Sequence, residues 1–214
     1  MSSVTVIDYD CGNLFGMQRA LEVCGGDVVV ADTPETVLQA DRLVLPGVGA
    51  FGDAAAALRR RGMDDAVCAF AKSGKPFLGV CVGMQLLFDE SEEFGSHRGL
   101  GLMAGKVVKI PETGADGERH KIPHIGWQEI VPPDEERTRN DTIFFDIETP
   151  IYTYFVHSYT AVPAEERDRL ADSSYNGRLI CAAVRRDNVW GCQFHPERSG
   201  PTGLNMLRNF MRRE

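Results

Sequence analysis

Apolar residues in the first half of the chain come in short runs, separated by longer amphipathic stretches. Val4-Thr5-Val6-Ile7, Val28-Val29-Val30, Leu43-Val44-Leu45 and Pro76-Phe77-Leu78-Gly79-Val80 read as buried strands. Helical segments are expected near Gly16 to Cys24, after Thr33-Pro34-Glu35, from about Asp53 to Arg60, and from Asp64 to Lys72. Thr33 offers an N-cap and Pro34 fits the first helical position. Pro46-Gly47 halts the third strand, and a further helix is expected to begin near Cys81. Strands alternating with helices in this way imply right-handed crossovers and parallel pairing.

The second half carries more strands: Gly105 to Ile110, Trp127 to Val131, Tyr152 to Val156, Leu179 to Val184 and Val189 to Gln193. A helix from about Gly203 to Arg213 closes the chain. Pro111 to Lys121, Pro132 to Asp141 and Pro163 to Arg169 are polar and proline-bearing, so they read as loops rather than interdomain linkers. The pattern predicts a single α/β domain over residues 1–214. Its central sheet is expected to be mixed and mostly parallel, flanked by helices.

Composition narrows the function classes. The chain has 214 residues, 43% hydrophobic and 25% charged, which suits a globular core rather than a disordered segment. A net charge of −8 argues against a nucleic acid partner, since polyanion binding draws on clustered Lys and Arg. The runs Arg59-Arg60-Arg61 and Arg212-Arg213 read as solvated helix faces. Met1-Ser2-Ser3-Val4 leads straight into a strand-like run, without the regions of a signal peptide. No apolar stretch approaches the ~20 residues that cross a bilayer. The six cysteines show no CxxC spacing, so a reduced, cytoplasmic setting is expected and membrane association is not.

Gly79-Val80-Cys81-Val82-Gly83 places a cysteine between an apolar strand and a helical run, the setting of a nucleophile elbow. The glycines remove Cβ atoms from a sharp turn, and the helix N-terminus favours thiolate. A buried small hydrophobe is the other reading, which suits Cys24, Cys68 and Cys181 but leaves the glycines beside Cys81 unexplained. In His195-Pro196-Glu197, extended geometry before proline should project His195 and Glu197 to one side. A carboxylate there fixes the imidazole tautomer and stabilises the imidazolium; an ordinary turn after a strand is the alternative. Pro46-Gly47-Val48-Gly49, at a strand end, can aim an N–H at an oxyanion, and taken alone is equally a tight turn. His120 and His124 have i, i+4 spacing, but Pro123 between them breaks the helix a metal pair would need. His97, beside Arg98, reads as a solvated loop residue. No metalloprotease, phosphate-loop or dinucleotide motif occurs, and no metal or cofactor is expected.

Gly79-Val80-Cys81-Val82-Gly83-Met84-Gln85-Leu86-Leu87 together with His195-Pro196-Glu197 resembles the class I glutamine amidotransferases, whose fold is flavodoxin-like. Within them the chain is similar to the glutaminase subunits of imidazole glycerol phosphate synthases. That likeness rests on Ile7-Asp8-Tyr9, Gly12-Asn13-Leu14, Pro46 to Phe51, Pro123 to Trp127, Tyr154 to Tyr159 and Gln193 to Gly200, and it runs from Val4 to Phe210. The resemblance implies that Cys81 attacks the side-chain amide of L-glutamine while His195, oriented by Glu197, handles the proton. It implies an oxyanion hole from Gly47, Val48 and Val82, and substrate contacts at Gly49, Gln85, Ser158 and Tyr159. His157 matches no catalytic position and reads as a structural histidine. The ammonia would pass to a separate (β/α)8-barrel synthase as a heterodimer in histidine biosynthesis. Asn13 and Trp127 match positions near that partner, although Trp127 could equally be core. Asp10-Cys11, Phe15-Gly16 and Gln128 depart from the commoner pattern, all on the expected partner side. A paralogous glutaminase serving another barrel, a catalytically silent regulatory subunit, and a cysteine hydrolase acting on unrelated amides or esters are the competing readings.

Overall fold

The computed structural model describes residues 3–132 and 142–213. Of the loop expected over Pro132 to Asp141, residues 133–141 lie outside the described residues. The first half alternates as expected: β1 (Ser3–Ile7), α1 (Leu14–Val23), β2 (Asp27–Ala31), α2 (Pro34–Gln39), β3 (Leu43–Gly47), α3 (Phe51–Arg60), α4 (Met63–Lys72) and β4 (Phe77–Cys81). Thr33 caps α2 by accepting from the Thr36 N–H, with Pro34 at the first helical position. The second half comprises α5 (Val82–Gln85), β5 (Phe88–Ser91), β6 (His97–Arg98), β7 (Met103–Lys109), β8 (His124–Val131), β9 (Ile151–His157), β10 (Tyr159–Pro163), β11 (Arg169–Tyr175), β12 (Arg178–Arg186), β13 (Val189–Cys192) and α6 (Gly200–Met211).

Nine strands form one mixed sheet in the order β2-β1-β3-β4-β13-β12-β11-β8-β9. Pairing is parallel from β2 to β13 and antiparallel from β13 to β9, so parallel geometry fills one half of the sheet. Right-handed crossovers send α1 to one face and α2 and α4 to the other, because β1-to-β2 and β2-to-β3 step in opposite directions. The helix contacts follow that division: α1 packs against α6, while α2 and α3 pack against α4. A second sheet, β10-β7-β5-β6, lies beyond α5. No described helix is long and apolar enough to cross a membrane.

The departures from expectation have local causes. The helix after Cys81 lasts only four residues, because the chain then turns into β5, and the Leu86 and Leu87 carbonyls accept from residues 100, 102 and 103. Strand β3 continues through Pro46 and Gly47, pairing them with Val80 and Cys81. The Pro46 carbonyl points toward the β1 side, where it accepts the Tyr9 hydroxyl at 2.7 Å. Pairing of β1 with β3 ends at Val44, so no ladder bond there needs the N–H that proline lacks. The segment Pro163 to Arg169 holds the end of β10 and a 3-10 turn, Glu166–Asp168. His97 is a strand residue rather than a solvated loop residue, and its ring fills the space where Gly52 lacks a Cβ.

Three adjacent parallel strands set up the site. β3 ends at Gly47, β4 at Cys81 and β13 at Cys192, all at the carboxyl edge where open α/β sheets bind ligands. Residues that follow β13 therefore emerge beside Cys81 despite a separation of more than a hundred positions.

His124 on β8 and His157 on β9 are register partners whose rings meet, Nδ1 to Nε2, at 3.1 Å. The Tyr159 carbonyl lies 2.8 Å from His157 Nδ1 and can only accept, so that nitrogen carries the proton. Neutral His157 Nε2 then accepts from His124 Nδ1–H. His124, not His120, is thus taken up by His157, and His120 bonds the Pro111 carbonyl and Asn176 instead. Burial lowers the His157 pKa to about 3 against the opposing Tyr159 carbonyl, with His124 and His195 lowering it further. Burial lowers His124 to about 4, with His120 adding to the effect. Unfolded histidine titrates near 6.5, so below that pH the unfolded chain binds more protons than the folded one. The contribution of this pair is therefore full above about pH 6.5 and declines as pH falls toward the folded values. Urea midpoints measured from pH 7 to pH 5 are expected to fall, and His124→Gln, which removes one titrating ring, should shallow that slope. A flat profile in the unsubstituted chain would contradict a neutral buried pair.

Candidate active site

Cys81 closes β4 with φ 55° and ψ −112°, a backbone region that costs a residue with a Cβ about 1–3 kcal/mol. The surrounding packing enforces it. A Cβ on Gly83 would overlap the Leu45 carbonyl oxygen of β3. One on Gly79 would sit 2.6 Å from the Gly83 carbonyl oxygen, and one on Gly47 would sit 2.7 Å from the Gly83 nitrogen. The three glycines let β3, β4 and α5 approach backbone to backbone, and the chain can turn only at Cys81. Its sulfur stands at the N-terminus of α5, as the sequence pattern anticipates.

The His195-Pro196-Glu197 segment hangs on the edge of β9. The His195 N–H donates to the Tyr154 carbonyl at 2.9 Å. The Tyr154 N–H donates to Ser199 Oγ at 3.0 Å, and that hydroxyl donates to the His195 carbonyl at 2.6 Å. Phe194, fully buried, packs edge-on against Phe155. His195 itself is extended, but Pro196–Arg198 is a 3-10 turn. His195 and Glu197 therefore meet across a turn and not by the alternation of a strand. A Cβ on Gly203 would overlap the Pro196 carbonyl oxygen, so α6 presses directly against this turn.

Glu197 Oε1 lies 2.8 Å from His195 Nδ1, and both side chains are buried. Asn13 Nδ2 donates to the same oxygen at 3.2 Å, while Asn13 Oδ1 caps α1 through the Gly16 N–H. Asn13 thus touches the His–Glu pair, a contact its assignment to the partner side does not anticipate. His195 Nε2 is buried, closes no hydrogen bond, and has Cys81 as its ionisable neighbour. Burial lowers the imidazole pKa, but Cys81 and Glu197 outweigh it and raise the value to about 10. The resting pair is an imidazolium between two acidic groups.

A cavity of about 160 Å³ opens in front of the sulfur, lined by Val48, Gly49, Cys81, Val82, Gln85, Glu93, Ser158, Tyr159 and His195 among others. Gly47 does not line it; it lies behind, paired with Cys81 in the sheet. Gly49 has φ 93° with open space around its missing Cβ. Trp127 is more than half exposed, not core, with its ring edge-on to Tyr154. A larger hollow, lined by Arg167, Asp168, Arg185, Arg186 and Asp187, sits at the β12–β13 turn, the opposite end of the sheet from Cys81. It holds no nucleophile.

Two residues at the site escape sequence reasoning. Glu93 is the single acidic side chain lining the cavity, and its Oε2 accepts the Phe51 N–H at 2.7 Å. It lies in an acidic surface-like run, Asp89 to Glu93, which has no periodicity to single it out. Gln193 is fully buried with Nε2 3.7 Å from Cys81 Sγ. Its place at the head of the Gln193 to Gly200 motif, two residues before His195, is the signal that could have found it.

The chain matches the family described as glutamine amidotransferase class-I over residues 5–213. It is 48% identical over 211 residues to imidazole glycerol phosphate synthase subunit HisH 1 of Legionella pneumophila strain Lens, covering 99% of each chain. It is 46% identical over 208 residues to the HisH subunit of Syntrophotalea carbinolica, covering 97% of this chain and 98% of that one. Among solved structures, PurLQS from Thermotoga maritima is similar in fold, with TM-score 0.70 at 20% identity over 97% of this chain and 96% of that one. With nearly half its residues shared end to end with such relatives, the chain belongs to the class-I glutamine amidotransferase family.

Proposed function

We propose that this chain is the glutaminase subunit of an imidazole glycerol phosphate synthase, hydrolysing L-glutamine and handing the ammonia to a separate (β/α)8-barrel synthase. The observation that carries the chemistry is the corner sulfur of Cys81 facing, across one cavity, an imidazole whose other nitrogen is held by Glu197.

In this reading the Cys81 thiolate attacks the side-chain carbonyl carbon of glutamine, forming the S–C bond. On the same reading the Val82 N–H, in the first turn of α5 and so without an intrahelical partner, receives the oxyanion together with the Val48 N–H. Gly47 contributes by letting these backbones approach. The tetrahedral adduct collapses as the C–N bond breaks, and His195 gives its proton to the departing ammonia. Thioester formation also removes the sulfur charge that helped raise the imidazole pKa, so neutral His195 is then able to deprotonate the water that releases glutamate.

Gln85 spends both amide hydrogens on the Tyr159 carbonyl, at 3.2 Å, and on Gln193 Oε1, at 3.0 Å. It therefore offers the substrate an acceptor. With the Glu93 carboxylate, that acceptor suits the α-ammonium, while Gly49, Ser158 and Tyr159 hold the rest of the amino acid. Phe15, Ile125 and Trp127 are exposed apolar side chains, and Trp127 lies beside Gly200 just past the catalytic turn, which supports docking of the synthase on this side. Direct transfer keeps ammonia out of bulk water, where it protonates and ceases to be a nucleophile. Six free thiols support a reducing, cytoplasmic setting.

In the reconstituted complex, Cys81→Ala is expected to abolish glutamine-dependent product formation while leaving synthesis from added ammonium salt. Loss of both would place the acceptor chemistry in this chain. The pH profile of glutamine hydrolysis should hold through neutrality and fall near pH 10, where the His195 proton is lost. Glu197→Gln should move that alkaline limb to lower pH, since it removes one of the two groups that raise the imidazole; an unmoved limb would refute the assignment.

A further inference from the structure

A backbone carbonyl fixes the polarity of a buried amide chain that ends on the nucleophile. The Tyr159 carbonyl can only accept, so Gln85 must turn its amide nitrogen toward it. That nitrogen also faces Gln193, which must then present its oxygen, Oε1, at 3.0 Å. The remaining end of the Gln193 amide is its NH2 group, 3.7 Å from Cys81 Sγ. Reversing either amide would set two acceptors or two donors against each other at buried positions, since Gln85 and Gln193 are both shielded from the surface. The Gln193 backbone is pinned separately, its N–H donating to the Ala182 carbonyl on β12 at 2.9 Å.

We propose that Gln193 is a positioning residue for glutamine hydrolysis: its amide N–H donates to the Cys81 sulfur, holding it in anionic form and aimed at the substrate carbonyl. This rests on Cys81 being the nucleophile. His195 and Gln193 then approach the sulfur from the same post-β13 segment, one supplying the proton for ammonia and the other a fixed neutral donor. Gln193 does not line the cavity, so it acts on the sulfur and leaves substrate binding to Gln85 and Glu93.

The test combines steady-state hydrolysis by the full-length chain with alkylation of Cys81 by iodoacetamide from pH 5 to pH 10, the modified peptide being identified by mass spectrometry. Loss of a hydrogen bond to a charged group in Gln193→Met should slow kcat by about 10- to 100-fold. KM for glutamine should change by less than about threefold. The alkylation profile should move to higher pH by about one unit. Gln193→Glu keeps the shape and the acceptor toward Gln85 but sets a carboxylate against the thiolate, and should displace the profile further. A folded Gln193→Met chain with the unsubstituted kcat and alkylation profile overturns the proposal. If that variant does not fold, an unshifted profile in Gln193→Glu overturns it equally. Should fully alkylated Cys81 leave hydrolysis intact, the nucleophile assignment itself fails, an outcome distinct from either of these.

Discussion

The site depends on how closely three backbones approach at the end of the sheet. Strand β3, strand β4 and the first turn of α5 come together at a distance that no side chain survives, and glycines at 47, 79 and 83 make this possible. With those positions locked, the reversal of direction falls on Cys81, the one residue there that holds a Cβ at positive φ. Its sulfur is thereby lifted clear of the sheet and set beside unpaired helix N–H groups. Strain of about 1–3 kcal/mol at one residue is small beside the core that β3, β4 and β13 bury around it.

Sheet order then supplies the partner. Because β13 pairs in parallel with β4, the chain that leaves β13 emerges next to Cys81, and Ser199 and Tyr154 stitch it to the β9 edge. Glu197 and Asn13 fix one face of the imidazole and leave the other for the sulfur. Cys81 and Glu197 raise the imidazole pKa, so His195 rests protonated, and in the proposed mechanism that proton goes to the departing ammonia. The proposal thus couples electrostatics and reaction order through the same two side chains. The buried amide chain from Tyr159 to Gln193 brings the substrate-facing strand into that arrangement.

Much of this is legible in the sequence where the cause is local. Alternating apolar runs and caps define β1 to β4 and their helices, and paired glycines around Cys81 mark the corner. The reasons fade where the pattern is weak. Strands β5, β6 and β11 are short or polar, so periodicity gives them no advantage over loops, even though β5 pairs with β6 and β11 with β12 close by in sequence. The apolar run after Cys81 suits a helix as well as a strand, and hydrogen bonds to residues 100–103 decide it. Glu93 and Gln193 acquire meaning only once the second sheet and β13 are folded against α5. Asn13 illustrates the same limit, since its contact with Glu197 spans nearly the whole chain.

The account stands on a covalent bond at one sulfur. Acid quenching during turnover with glutamine, followed by peptide mass analysis, reads that bond directly. The account predicts a glutamyl adduct on the peptide carrying Cys81, building up within the first turnover and lost on return to neutral pH. Steady turnover with no adduct on any cysteine, or with the adduct on Cys11, Cys24, Cys68, Cys181 or Cys192, would contradict it.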